Sequence, residues 1–217
     1  QAMGRMAAEE RRAQLIAATI RVMTTEGIEA VSTRRVAQEA GVSVGVVHYC
    51  FGSKENLLRR VIHQLVDDIR ESAQARISPG QDLTASLSKA TEAFMGDVEE
   101  RADRHLLTYE IVTYALRTEG SEDLARWLYE CYQSAAVATL EAAAEAAGVR
   151  WIVPVDVVAR ILTAANDGVT LEWLVRRDGT QARTTFAHII DAVVPLSTSL
   201  DDEASSAGRD AGGRVSR

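Results

Sequence analysis

The chain has 217 residues, 47% apolar, 5% aromatic and 25% charged, enough for a sizeable core in one long domain or two small ones. Two cysteines, Cys50 and Cys131, exclude a disulfide-stapled scaffold. No apolar run approaches the ~18–20 residues of a membrane span, and no secretory leader is visible, so a reducing, cytoplasmic setting is expected. The net charge of −7 hides an asymmetry. Residues 1–62 hold nine Lys/Arg against six Asp/Glu, a net +3, and the remainder carries −10. A basic head on an acidic body can meet a polyanion with one end only.

The expected fold begins after Gln1–Gly4. Leu15, Ile16, Ile20 and Met23 recur at helical spacing and predict a helix over Ala8–Thr25, ended by Gly27. Ser32 is placed to cap a short helix over Thr33–Ala40, stopped by Gly41. Ser43 is expected to cap a second, over Val44–Cys50. Ser53 should open a long helix over Lys54–Ile77, broken by Ser78-Pro79-Gly80. Asp82 is expected to cap a helix reaching about Arg101, and Asp103 one reaching about Thr118. Glu122–Ala147 is long and Ala-rich, and Gly148 stops it. Pro154 fits the first turn of a helix running to about Arg177, and Thr180 the cap of a last helix to about Val194. From Leu200 on the chain is Asp, Ser, Gly and Arg without period, and is expected to be disordered. There is no alternating strand pattern, so the expected class is all-α, with nine helices.

The informative stretch is residues 33–58. Two short helices flank Gly41-Val42-Ser43. Val36, Ala37 and Ala40 are small enough for the helices to cross over a tight turn, and Val42, Val47 and Phe51 complete a small core. The other face of the second helix carries Ser43, Val44, Gly45, His48 and Tyr49, a short, largely uncharged surface that suits a major groove. Thr33 at a helix N-terminus, Arg34, Arg35, Tyr49 and Lys54 are of the types that hold phosphate. The pattern Val31-Ser32-Thr33-Arg34-Arg35-Val36-Ala37-x-x-Ala40-Gly41-Val42-Ser43-x-Gly45, then Val47-x-Tyr49-x-Phe51-x-Ser53-Lys54-Glu55-x-Leu57-Leu58, resembles the DNA-binding domain of the TetR family of repressors. The likeness runs from about Arg11 to Val61. It implies a three-helix head, a connecting fourth helix, and a body that binds an effector and dimerises. The family's DNA contacts, carried over, fall on Thr33, Arg35, Ser43, Gly45, His48, Tyr49 and Lys54. Cys50 stands where members often have histidine.

The expected domains are therefore a helix-turn-helix head over 8–53, an effector and dimerisation body over 54–199, and a tail over 200–217. Leu162-x-x-Ala165-Asn166-Asp167-Gly168-Val169-x-Leu171 resembles the eighth helix of several members. The last two helices, about 155–177 and 181–194, would pair with those of a twin, through Val158, Ile161, Leu162, Ala165, Val169 and Trp173 on one and Phe186, Ile189, Ile190 and Val193 on the other. Candidate effector contacts are Phe94, Leu107, Tyr109, Ile111, Tyr114, Trp127, Cys131, Tyr132, Asn166, Thr170 and Trp173, apolar for the most part with a few polar handles. Each also fits an ordinary core position. The effector expected is small and largely apolar or aromatic, and its binding would tilt the long fourth helix and release an operator.

His63 and Asp67 stand at i, i+4, more simply a surface pair than a metal site. Cys50 could act as a redox switch or as a plain small residue. Without a nucleophile elbow, P-loop, dinucleotide fingerprint or metal cluster, no catalytic residue, cofactor or metal is expected. Two other readings stay open: an architectural DNA-binding protein without an effector, and an enzyme with its site in the helical body.

Overall fold

The computed structural model describes residues 2–200, with side chains from Ala8 onward. The helices are α1 (Ala2–Glu26), α2 (Thr33–Ala40), α3 (Val44–Phe51), α4 (Lys54–Gln74), α5 (Leu83–Glu100), α6 (Ala102–Arg117), α7 (Glu122–Ala147), α8 (Val155–Arg176) and α9 (Gly179–Val193). The nine expected helices are therefore present among the described residues. Single 3-10 turns follow α1 (Ile28–Ala30) and α9 (Val194–Leu196).

Local chemistry accounts for most ends. Ser32 Oγ accepts the Arg35 N–H at 3.1 Å, Ser53 Oγ that of Asn56 at 3.1 Å, and Asp82 Oδ1 that of Ala85 at 2.8 Å. Gly41, at φ 66°, closes α2 in the left-handed region that glycine enters freely. Three expected caps differ. Ser43 holds the cap position of α3, but its hydroxyl makes no cap bond. Arg101, not Asp103, precedes α6. Asp178, two residues ahead of Thr180, accepts the Gln181 N–H at 2.9 Å and opens α9. Pro154 stands just outside α8, as its cap residue. The fourth helix stops at Gln74, and the chain to Ile77 tightens into i→i+3 bonds.

The structure also has a small antiparallel pair, β1 (Val149–Trp151) and β2 (Ser197–Ser199), with Arg150 opposite Thr198. The Leu200 N–H donates to the Gly148 carbonyl at 3.2 Å, so regular bonding runs through residue 200. The tail expected to be disordered otherwise lies outside the described residues.

Packing groups the chain differently from its order. One compact unit holds residues 1–68 and 101–132, the other residues 69–100 and those from 133 on. The division at 53/54 expected from the sequence is not where packing divides the chain. Leu107, Ile111 and Ala115 of α6 are at most 2% exposed, and α6 contacts α1 and the turn after it. In the second unit Leu83, Leu87, Leu140, Ala143, Val158, Ala159, Ile190 and Val193 form one buried cluster. Arg183 fastens α9 to α5 there: its Nη1 and Nη2 reach the two Glu99 oxygens at 2.7 and 2.9 Å, and its Nε reaches Glu92 at 2.9 Å. These bonds, Glu99 first, raise the Arg183 pKa, and Arg183 in turn lowers that of Glu99.

Leu140 is 1% exposed inside this cluster. Leu140→Ala should cost about 2–5 kcal/mol, read as a lower denaturation midpoint at unchanged slope.

Candidate nucleic-acid interface

The first unit builds a reading surface from three short pieces. Leu15, Ala18 and Val22 of α1, Val36 and Ala37 of α2, and Val47 of α3 are 0–1% exposed. Helices α1, α2 and α3 all touch one another. The Val42 N–H bonds to the Ala37 carbonyl at 3.0 Å and holds the turn. With Val47 and Phe51 committed inward, α3 turns the opposite face to solvent. Ser43, Gly45, His48 and Tyr49 are exposed there, Tyr49 at 87%, and Val44 is half-buried.

The glycine at 45 has no reason within its own chain. Its φ is not in the left-handed region, and an added Cβ would meet only Ser43 Oγ, at 3.8 Å. His48 Nδ1 lies 3.2 Å from the Gly52 carbonyl. A carbonyl only accepts, so the bond needs the proton on Nδ1, and a neutral ring then offers Nε2 outward as an acceptor.

The cations assigned to phosphate differ in what they touch. Arg34 is exposed, without an ion pair among the described residues. Lys54 Nζ lies 3.4 Å from the Ile28 carbonyl and 4.8 Å from the centre of the Tyr114 ring, so this ammonium is partly engaged inside the unit. Arg35 is fully engaged. Its Nε donates to both Glu26 oxygens at 3.0 and 3.2 Å, and its Nη2 to Glu39 Oε2 at 3.0 Å. The other Glu39 oxygen takes Arg21 Nε at 3.0 Å. These bonds, Arg21 first and then Arg35, hold the Glu39 carboxyl below its usual range.

Beside α3 lies an open depression of about 440 Å³. Helix α1 lines it with Ala8, Arg11 and Arg12. The other wall is Ser43, Gly45, Val46, Tyr49 and Cys50. The arginine pair was not among the residues singled out from sequence; its doubled charge in the first helix of a basic segment was the signal that could have found it.

The effector candidates do not form one group. Leu107 and Ile111 are core of the first unit, where Tyr109, Tyr114, Trp127, Cys131 and Tyr132 are half-buried. The Trp127 ring has the Arg59 guanidinium at 5.5 Å and the His63 ring at 6.2 Å. Burial, and then the Asp67 carboxylate, push the Cys131 thiol up. Phe94, Asn166, Thr170 and Trp173 belong to the second unit. Phe94 packs edge-on against Phe186 at 6.0 Å, Trp173 carries Arg177 at 4.5 Å, and the buried Thr170 hydroxyl has no hydrogen-bond partner among the described residues. His63 Nδ1 pairs with Asp67 at 2.6 Å, and no group of three or more potential ligands is placed to hold a metal among the described residues.

Residues 15–61 match the family described as bacterial regulatory proteins, tetR family. The nicotine-responsive transcriptional repressor HdnoR of Paenarthrobacter nicotinovorans is 28% identical over 87% of this chain and 96% of its own length. A TetR-family regulator from Rhodococcus sp. superposes with a TM-score of 0.73 at 22% identity, covering 86% of this chain and 99% of its own. The match to the tetR family lies in residues 15–61 of this chain. Among TetR-type relatives, the regulator BetI 2 of Chromohalobacter salexigens is 36% identical, but over only 30% of this chain and 32% of its own length. The multidrug binding protein EbrR, solved with imidazole, is 26% identical with a TM-score of 0.58, over 82% of this chain and 94% of its own. No helix among the described residues is long and apolar enough to cross a membrane.

The lowered Glu39 pKa sets a pH dependence for the first unit. A carboxyl held below its ordinary value stabilises the fold above that value, and this contribution is lost as pH falls through the lowered one. Acid titration of thermal stability should therefore be shallower for Glu39→Gln than for the parent chain. Equal acid slopes would mean that the network contributes nothing.

Proposed function

We propose that this chain is a repressor that binds a palindromic operator as a homodimer and leaves it when a small, largely apolar or aromatic ligand binds the helical body. The observation that carries the DNA reading is the bare face of α3 at Gly45. A glycine in a helix costs stability and here answers no need of its own chain, so its use is the close approach of something outside. Ser43, His48 and Tyr49 around it offer hydroxyl and imidazole groups to base edges and phosphates. Thr33 and Arg34, with Lys54 where it can leave Tyr114, are the proposed backbone contacts. The site of action is the cytoplasm, where DNA is, and no catalytic role is assigned.

Dimerisation is supported by α8. Val157, Ile161, Ala164, Gly168, Leu171 and Val175 alternate at spacings of four and three, and they form a stripe separate from the buried one, with Val157, Ile161, Leu171 and Val175 exposed. That is the spacing of a helix–helix seam, with small residues at its centre. Val158, Val169 and Trp173, grouped from sequence with the pairing face, are buried within the chain itself, as are Phe186, Ile190 and Val193 of α9. The pairing surface is therefore the neighbouring stripe. Two such heads would meet successive major grooves about 34–36 Å apart.

For the effector, HdnoR is described as nicotine-responsive, and EbrR was solved with imidazole. Both names point to nitrogen heterocycles, and we propose that class for this chain. Selection of bound genomic fragments by the purified protein should yield one palindrome near a few genes, and nicotine is the first probe for its release. No enrichment in the ligand-free protein would overturn the reading.

Two variants test the parts. Gly45→Ala should raise the melting temperature slightly, a helical glycine costing about 0.5–1 kcal/mol against alanine, and should lose about five- to 150-fold in operator affinity, one crowded base contact being worth about 1–3 kcal/mol. Ile161→Glu with Leu171→Glu should yield a folded monomer by sedimentation, with operator binding lost in step.

A further inference from the structure

We propose that the depression between α1 and α3 seats the sugar–phosphate backbone of the operator through Arg11 and Arg12, and that Arg35 binds no phosphate but fastens α1 to α2. The inference rests on the DNA-binding reading above and deepens it.

Arg35 comes first, because its position in the motif assigns it to phosphate. Its guanidinium already lies between two carboxylates, Glu26 and Glu39, and Glu39 also binds Arg21. The four side chains carry two positive and two negative charges. Moving Arg35 to a phosphate would leave both carboxylates facing a polyanion with one cation between them. In place, the network is neutral and ties the last turn of α1 to α2. Arg35 is therefore a positioning residue.

Arg11 and Arg12 are exposed on the wall of the depression, and neither pairs with a carboxylate among the described residues. Arg11 is held in place without being neutralised. Its Nη1 donates to Gln14 Oε1 at 2.6 Å, and Gln14 Nε2 donates to the carbonyl of Ala40, the last residue of α2, at 2.9 Å. The remaining guanidinium N–H groups of Arg11 have no carboxylate on them. Glu9 and Glu10, next in sequence, do not line the depression.

The facing wall supplies the rest of a phosphodiester site. Ser43 leaves its hydroxyl unused by the helix cap, and Tyr49 stands 87% exposed. Two guanidinium groups and two hydroxyl donors around an open groove suit a phosphate, and the groove is continuous with the α3 face assigned to base edges. A backbone strand laid there would extend the footprint outward from the bases read by α3, adding affinity without sequence preference.

Salt dependence separates the roles, because each phosphate that a protein neutralises contributes about 0.9 to the slope of log affinity against log salt. The full chain is compared with Arg11→Gln/Arg12→Gln and with Arg35→Gln on operator duplex and on random duplex. The double variant should flatten the slope by about 1–2 on both duplexes, with melting temperature and base preference unchanged. Arg35→Gln should keep the parental slope and lower the melting temperature of the free protein. An unchanged slope in the double variant, or a slope flattened by about one in Arg35→Gln, overturns the proposal. The Arg11/Arg12 comparison alters only exposed side chains, so it decides the groove even where Arg35→Gln does not fold. Phosphate contacts also act on random duplex, so failure to select a palindrome would sink the operator reading while the slopes still judge this one.

Discussion

The pose of α3 depends on how closely α1 and α2 approach. Helices α1 and α2 pack together, and Leu15, Ala18 and Val22 of the one and Val36 and Ala37 of the other are no more than 1% exposed. Small side chains allow that approach, and the left-handed Gly41 allows the turn that follows it. Two polar fastenings then act at opposite ends of α2. Arg35 near its start binds Glu26 at the end of α1, and Ala40 at its finish accepts from Gln14, earlier in α1. Helix α2 therefore runs antiparallel to α1 and is held at both ends. The apolar contact sets the distance, the polar pair prevents α2 from sliding, and α3 inherits a fixed direction through a short turn.

Net charge by segment is a coarse guide to where a head presents its field. Of the nine Lys/Arg in residues 1–62, Arg21 and Arg35 are consumed by Glu26 and Glu39, and Arg59 by Glu55 one turn away. Lys54 is shared with a carbonyl and a ring. Arg11, Arg12, Arg34 and Arg60 remain without carboxylate partners among the residues whose side chains are described. An excess of three charges is then enough, because the paired cations cancel locally and Arg11 and Arg12 stand on the side that carries Tyr49.

What was legible in the sequence was local. Ser32, Ser53 and Asp82 cap where a short polar side chain precedes an apolar period, and Gly41 and Gly148 stop helices where a left-handed residue is needed. The β1–β2 pair was not legible: its strands have three residues each, lie far apart in sequence, and owe their register to the helices between them. Arg35 was read from its place in a motif, and Glu26, the carboxylate that it binds, lies nine residues away on another helix. Helix α8 failed for a different reason. It is apolar on two adjacent stripes, so its periodicity could not say which faces the chain's own core and which faces out. Val158 and Ile161 were grouped together, and burial separates them, at 0% and 44% exposed.

The packing also bears on how a ligand could act. Helix α6 and the start of α7 belong with the head rather than with α8 and α9. Any effector contact at Tyr109, Tyr114, Trp127 or Tyr132 would lie within the unit that carries α3. Tyr114 faces Lys54, which opens α4 and also touches the turn after α1. A ligand that holds Tyr114 on Lys54 keeps that ammonium from a phosphate, and by linkage a phosphate that draws Lys54 away weakens that ligand's hold in the same proportion. Couplings between sites typically amount to about 1–3 kcal/mol, within reach of one half-buried cation–ring contact and the packing around it. Release therefore needs no large motion in principle. It needs a ligand that binds better when Tyr114 is on Lys54 than when it is off, since a ligand indifferent to the two arrangements shifts nothing however tightly it binds.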